Sequence, residues 1–212
     1  MRELKSDLFG HVWLADDRGG PVVIRDTGGA RWWLAAFARF LCRREAQALA
    51  RLDGLAGAPR LLACDRRWLR RSWIEGRPMQ AAKPRNADYF REALRLVRAL
   101  HRRGVAHNDL AKEPNWLVTP LGRPAVVDFQ LALVSRRRGR LFRSLAREDL
   151  RHLLKHKRTY CPERLTARER RILAAPGWLS RLWRAGAKPV YLLITRRLLG
   201  WRDREGAGNR RF

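Results

Sequence analysis

Two short polar motifs, one on each side of a predicted β-hairpin, constrain the fold of this chain most strongly. The first motif, at residues 107–109, follows a helix predicted at residues 88–103 from apolar side chains at three- and four-residue steps. The second motif begins at Asp128. Between them, residues 115–119 and 125–127 are apolar runs separated by a turn rich in Pro and Gly, which predicts two antiparallel strands. The hairpin therefore returns Asp128 to the edge at which Asn115 lies.

This stretch resembles the catalytic core of the protein-kinase-like superfamily. His107-Asn108-Asp109-Leu110 is similar to the HxDL catalytic loop, Asn115 to its metal-binding Asn, and Asp128-Phe129-Gln130 to the DFG motif. Each motif alone is a weak signal. Chance does not readily give both in order, with the Asn, the hairpin and the preceding helix all in place.

The resemblance implies an enzyme that transfers the γ-phosphate of ATP to a hydroxyl group. Asp109 would orient that hydroxyl and accept its proton. Asn115 and Asp128 would supply the oxygen ligands that Mg²⁺ prefers. His107 would support the loop and take no part in the chemistry.

The spacing departs from the family pattern by one residue. Five residues, at 110–114, separate Asp109 from Asn115, where family members usually have four. This added residue predicts a bulged catalytic loop. A Lys near this position contacts the transferred phosphate in protein kinases, and Lys112 is assigned that role.

The N-terminal part is predicted to contain short strands at residues 11–15, 22–25, 60–64 and 68–74. Between the second and third strands, a helix is predicted at residues 31–52 from the spacing of large apolar side chains. Trp33, Phe37, Phe40, Leu41, Ala48, Leu49 and Leu52 carry this spacing.

The same part resembles the nucleotide-binding lobe of kinases in a reduced form. Gly10 is the one glycine left of a phosphate-covering loop, and Arg25 stands where the VAIK strand has Lys. Glu45 lies where the helix Glu that pairs with this Lys is expected, so Arg25 can bind phosphate and form a salt bridge to Glu45. Two alternatives stay open: Lys5 reaches in from the first strand, or nucleotide binding is weakened. Glu75 lies in a segment that resembles the adenine-binding hinge.

The expected fold class is therefore α+β, with the bilobal protein-kinase-like architecture. The N-lobe, residues 1–78, would hold a small antiparallel β-sheet and one helix. The C-lobe, residues 79–212, would be mostly helical, with basic aromatic helices at its C-terminus and without a long activation segment.

The missing activation segment indicates the branch of the superfamily. After Asp128, only residues 130–145 precede the next predicted helix. A segment this short resembles that of bacterial kinases of lipopolysaccharide-core sugars and of RIO-like atypical kinases. The expected acceptor is a lipopolysaccharide-type sugar or glycolipid. The alternatives are a protein acceptor of a RIO-like Ser/Thr kinase, and a pseudokinase that serves as a binding scaffold.

Charge is the outlying property of the composition. The 212 residues carry a net charge of +27, and only six of the 47 basic residues are lysine. Such a surface attracts polyanions, although a GC-rich coding sequence explains the arginines equally well. Residues 178–184 and 191–201 combine Trp, Leu and Arg, so they either bind an anionic membrane surface or pack on the C-lobe. Nucleic acid ranks last among the partners, because no motif that reads RNA or DNA is present.

The N-terminus and the cysteines predict the compartment. The first residues lack the apolar core of a signal peptide. Three cysteines, Cys42, Cys64 and Cys161, are an odd number without a CxxC pair, and this predicts reduced thiols. The expected location is the cytoplasm, and a peripheral position on the inner membrane is compatible with it.

Overall fold

A computed structural model describes residues 1–175, and these form an α+β fold with a small antiparallel sheet, as predicted. One compact unit runs from Met1 to Leu165, and a second begins at Thr166. The predicted lobe boundary at residue 78 falls inside the first unit and stays a prediction. The aromatic and basic stretches at residues 178–184 and 191–201 lie outside the described residues.

Five strands form the larger sheet, and every neighbouring pair is antiparallel. They are β1 (Arg2–Asp7), β2 (Gly10–Asp17), β3 (Gly20–Asp26), β4 (Leu61–Cys64) and β5 (Trp68–Ser72). Their order across the sheet is β1-β2-β3-β5-β4. The helix α1 (Ala35–Arg51) connects β3 to β4 and contacts both β4 and β5.

The rest of the first unit is mainly helical. Its helices are α2 (Met79–Ala82), α3 (Ala87–Arg102) and α4 (Arg140–Tyr160). Its strands are short: β6 (Arg77–Pro78), β7 (Val105–Ala106), β8 (Trp116–Val118), β9 (Pro124–Val126) and β10 (Leu133–Val134). β6, β8 and β9 form one antiparallel sheet, and β7 pairs with β10. In the second unit, α5 (Ala167–Ala174) begins at a capping box formed by Thr166 and Glu169.

One hydrophobic core joins the helical part to the five-stranded sheet. Phe90, Val97 and Leu100 are buried at helical spacing along α3. They belong to the same buried cluster as Leu49 of α1 and Leu69 of β5. Burying a side chain of this size contributes about 1.5–3 kcal/mol. The sheet and the helices of the first unit are thus held together by shared apolar packing.

The sequence predictions of the elements are largely confirmed. The strands predicted at residues 11–15 and 22–25 lie within β2 and β3, and the strands near 60–64 and 68–74 become β4 and β5. The predicted helix at residues 88–103 is α3. The predicted hairpin consists of β8 and β9. Cys42, Cys64 and Cys161 are all free thiols, as expected.

The helix predicted at residues 31–52 differs in its start and in its apolar face. It begins at Ala35, and Trp33, Phe37 and Phe40 are exposed. The reason is that only one face of α1, with Leu41 and Leu49, turns toward the core. Phe37 and Phe40 lie on the adjacent face, so the apolar spacing in the sequence combined buried and exposed side chains.

Gly10 occupies a position that favours glycine strongly. It begins β2 with a φ of +118°, and an added Cβ would collide with the carbonyl oxygen of Asp26. Gly10→Ala is expected to lower the free energy of unfolding by about 1–3 kcal/mol, because backbone strain and the collision act together. Urea denaturation measures the change. Gly19→Ala is the matched control, since a Cβ there meets nothing within 4 Å. Equal stability of the two variants would contradict this prediction.

Within residues 1–175, no helix combines the length and the hydropathy that crossing a bilayer requires.

Candidate functional site

One buried carboxylate of α4, that of Asp149, holds the backbone of the loop that follows β7. Asp149 accepts hydrogen bonds from the backbone N–H groups of His107 and Asn108, both at 2.8 Å. Its Oδ2 also lies 3.0 Å from Nε2 of His101 on α3. Asp149 is fully buried. It therefore fixes the backbone immediately before Asp109.

Asp109, Lys112 and Asn115 are brought together on this loop. The Asn115 side-chain amide donates to the Asp109 carbonyl at 2.9 Å and to Asp109 Oδ2 at 3.0 Å. Lys112 Nζ lies 3.1 Å from the same Oδ2. The Asp109 side chain retains 13% exposure, whereas that of Lys112 retains 62%. A carboxylate and an ammonium group thus lie side by side, within reach of solvent.

Further contacts fix the loop beyond Asp109. The Leu110 carbonyl accepts hydrogen bonds from Nε1 of Trp116 at 3.1 Å and from Nε2 of His156 at 2.8 Å. Burial lowers the pKa of His156, which favours a neutral ring with its proton on Nε2. Tyr160 donates to Glu113 at 2.8 Å. α4 therefore holds the loop at three separate points along its length.

The hairpin places Asp128 beside Asn115. Trp116 pairs with Val126 in the β8–β9 register, and the N–H of Val127 donates to the Asn115 carbonyl at 3.0 Å. Nε2 of His107 lies 3.0 Å from the Val127 carbonyl. Asn115 thus contacts Asp109 on one side and the residue before Asp128 on the other. The three predicted residues share one end of the hairpin.

Asp128 is held as a partly buried anion. Burial acts to raise its pKa, but Arg25, a hydrogen bond from Gln130, His107 and Arg71 outweigh burial, so the pKa lies below its usual value. The Gln130 amide donates to Oδ1 at 2.6 Å. The backbone of Asp128 is left-handed, with a φ of +67°. An ionised carboxylate is therefore present at neutral pH.

Arg25 and Glu45 form the predicted ion pair, and a second arginine joins it. Arg25 Nε lies 3.3 Å from Glu45 Oε2, and Arg71 Nε lies 3.2 Å from Oε1. Glu45 is completely buried. The distances are those of ion pairs, but neither carboxylate oxygen meets the geometric criteria of a hydrogen bond. Two guanidinium groups thus converge on one carboxylate, and both lower the pKa of Asp128.

The remaining predicted residues lie farther out. Lys5 is on the edge strand β1, with Nζ 3.0 Å from Asp7 Oδ2, so it is Arg25 that pairs with Glu45. Gly10 follows the two-residue loop between β1 and β2. Glu75 is exposed in the segment that leads from β5 to β6.

The donor set fits a magnesium ion. Because its amide nitrogen donates to Asp109, Asn115 has its side-chain oxygen as the atom that can ligate a cation. Together with the ionised Asp128 it offers two hard oxygen ligands, and Mg²⁺ commonly completes its shell with water and phosphate oxygens. No group of three His, Cys, Asp or Glu side chains in the described part of the chain forms a metal-binding cluster. A site of this kind does not require one.

Three further residues of the site, Arg71, Asp149 and Arg44, were not predicted from the sequence motifs. Leu69 of β5 is buried, and Arg71 lies two residues later. Because alternate residues of a strand face the same side, this spacing indicates that Arg71 faces inward. Asp149 interrupts the apolar stripe of Leu145 and Leu153 at four-residue steps. Arg44 donates to the carbonyls of Leu131 and Ala132, at 3.0 and 2.8 Å, and gave no such signal.

Comparisons with known proteins do not assign the chain to a group. No family model matches it, and no curated protein matches it. The site geometry and the motifs are therefore the observations that bear on the function of this chain.

Proposed function

We propose that this chain is an ATP- and magnesium-dependent phosphotransferase of the bilobal protein-kinase-like fold, which moves the γ-phosphate of ATP to a hydroxyl group. The observation that carries the proposal is the hydrogen-bonded unit of Asp109 and Asn115, with Asp128 beside it at the end of the hairpin. A proton acceptor and two cation ligands are what this reaction requires.

The architecture supports the bilobal description. A five-stranded antiparallel sheet carries a single long helix, and most residues in the remaining helices and strands of the first unit are helical. The segment at residues 73–76 joins the sheet to that helical part. A buried Glu of the helix α1 pairs with a basic residue of β3, which is the arrangement expected in an N-lobe.

Asp109 would orient the acceptor hydroxyl and take its proton. Its carboxylate is fixed by Asn115 and Lys112, so it is oriented before the acceptor arrives. Lys112, whose side chain is more than half exposed, can turn from Asp109 toward the transferred phosphate. This would bring a positive charge to the oxygens on which negative charge develops.

Asn115 and Asp128 would hold the magnesium ion. When bound, the ion neutralises negative charge on the phosphate oxygens and orients them. The depressed pKa of Asp128 keeps its carboxylate ionised for this purpose.

Arg25 and Arg71 would contact the phosphates from the sheet side. Their side chains are only 16% and 12% exposed, and Glu45 holds both. Arginine presents a planar fork of donors that matches phosphate geometry. Two such groups can replace the single lysine that kinases use at this position.

A thermal-shift experiment tests nucleotide and metal binding. ATP at about 100 times its Kd is expected to stabilise the wild-type chain by about 2.7 kcal/mol in the presence of magnesium. Asp128→Asn should lose the magnesium-dependent part of this shift, because it removes the charge and keeps a residue that tolerates the left-handed backbone. The exposed Asp16→Asn is the control. A magnesium-dependent shift that is the same in all three chains, or absent from the wild type, would indicate a scaffold without this metal site.

The acceptor is proposed to be a lipopolysaccharide-type sugar or glycolipid. The basic surface attracts phosphorylated glycolipids, and only residues 131–139 separate the DFG-like motif from α4. Transfer of labelled phosphate from ATP into separated lipid, polysaccharide and protein fractions tests this assignment. Label that enters only protein would replace the glycolipid acceptor with a protein acceptor of the RIO-like kind.

A further inference from the structure

Large aromatic side chains are exposed where the chain enters α1. Trp32 is 89% exposed, Phe40 51%, Phe37 48% and Trp33 45%. Together with Phe9 of the β1–β2 loop, these residues are called the aromatic patch. Monomeric proteins seldom expose so much apolar surface in one place without a binding role.

Three rings of the patch, those of Phe9, Phe37 and Phe40, contact one another in a row. The ring centroids of Phe9 and Phe37 are 6.0 Å apart, and those of Phe37 and Phe40 are 6.2 Å apart. The Arg44 guanidinium lies 5.5 Å from the centroid of Phe40. A hairpin loop and a helix thus hold these three rings together, with Phe37 and Phe40 exposed to solvent.

The charges around the patch are positive. Arg31, Arg39 and Arg43 are exposed, and residues 31–44 include no acidic residue. Asp7, two positions from Phe9, is engaged by Lys5 and by the N–H of Phe9. The combination of exposed Trp and Phe with exposed Arg is complementary to a surface that is apolar beneath a negatively charged layer.

We propose that the aromatic patch docks on an anionic lipid bilayer. Trp and Phe would enter the boundary between head groups and acyl chains, and the three arginines would contact the lipid phosphates. Trp32 is the most exposed of these rings, at 89%, and the exposed charges around it are positive, which favours an anionic bilayer as the occupant. The residues that form this surface differ from residues 178–184 and 191–201, which the sequence indicated as a candidate membrane-binding segment.

Docking at this surface would also bring lipid to the helix that carries Glu45 of the candidate site. α1 carries the patch at its start and Glu45 further along. Phe9 lies in the loop that precedes Gly10. This consequence rests on the proposed function, whereas the docking itself does not.

Sedimentation with vesicles tests the proposal on the full-length chain without nucleotide. The wild type is expected to bind vesicles of phosphatidylcholine mixed with phosphatidylglycerol, and to bind phosphatidylcholine alone much less. A triple variant, Trp32→Ser/Phe37→Ser/Phe40→Ser, removes the apolar contact. Its affinity for the anionic vesicles should fall by at least about tenfold. The control is Leu121→Ser/Leu141→Ser, which removes two other exposed apolar side chains, 82% and 56% exposed. It should bind like the wild type.

A second variant keeps the test independent of folding. Arg39→Glu/Arg43→Glu reverses two exposed charges of α1 and should also weaken anionic binding. Thermal melts should show all variants folded, with melting temperatures near that of the wild type.

Several outcomes would overturn the proposal. Undiminished anionic binding by the triple variant would move the docking surface elsewhere in the chain. A marked fall in its melting temperature would mean that the chain itself covers the patch. A patch-dependent dimer in solution would make a second copy the occupant. Because phosphoryl transfer is measured separately, its loss or retention does not decide this result.

Discussion

An Asp109→Asn variant is expected to bind ATP and magnesium as the wild-type chain does and to transfer phosphate about 10²- to 10⁴-fold more slowly. The substitution keeps the size of the side chain and an oxygen that can accept the Asn115 hydrogen bond. It removes the group that accepts the proton of the acceptor hydroxyl. Binding and transfer should therefore separate.

Initial rates of label transfer from ATP into the acceptor fraction measure the loss. Thermal shifts with ATP and magnesium measure the binding that should remain. Asp53→Asn changes an exposed carboxylate and serves as the control. If Asp109→Asn keeps most of its transfer rate, Asp109 is not the proton acceptor, and the proposed function loses its central residue.

The largest effect on stability is expected from Asp149→Ala, with the free energy of unfolding lowered by about 3–5 kcal/mol. The substitution leaves the N–H groups of His107 and Asn108 and the ring of His101 without their shared partner. Water reaches this position poorly, because His107 and Asp149 are buried. The desolvation penalty of these groups is therefore not recovered.

Chemical denaturation monitored by tryptophan fluorescence gives the unfolding free energy of the variant. Asp88→Ala removes an exposed carboxylate that pairs with Arg91 on α3, and such surface pairs contribute about 0–1 kcal/mol. A loss at Asp149 no larger than the loss at Asp88 would show that the buried carboxylate does not hold the loop.

Local patterns were sufficient to predict most of the elements. The α3 stripe and the β8–β9 hairpin are encoded by spacing and turn residues within short stretches, so neighbouring residues determine them. Asp109 follows α3 by a short segment, and Asn115 and Asp128 lie at the two ends of the hairpin, so their proximity follows once the hairpin forms. The part of the candidate site that lies within about twenty residues was therefore predictable.

Contacts between distant segments were not predictable in this way. Asp149 reaches a loop that lies 42 residues earlier, and Arg71 reaches Glu45 across 26 residues. A single sequence shows that an inward-facing polar residue needs a partner, but it does not name the partner. The exposed rings of Phe37 and Phe40 have a similar cause. Helical spacing reports that side chains share a face, and only the packed sheet decides which face it covers.

The hydrogen bonds of Arg44 couple the helix α1 to the segment that follows Asp128. Its guanidinium bonds the carbonyls of Leu131 and Ala132, while its own backbone belongs to α1. Glu45, the next residue, holds Arg25 and Arg71. A rotation of α1 would therefore either break the Arg44 hydrogen bonds and the Glu45 ion pairs, or move residues 131–132, which follow Asp128, together with the helix. α1 and residues 131–132 are therefore expected to move together, so a displacement of the helix is transmitted to the segment that follows Asp128.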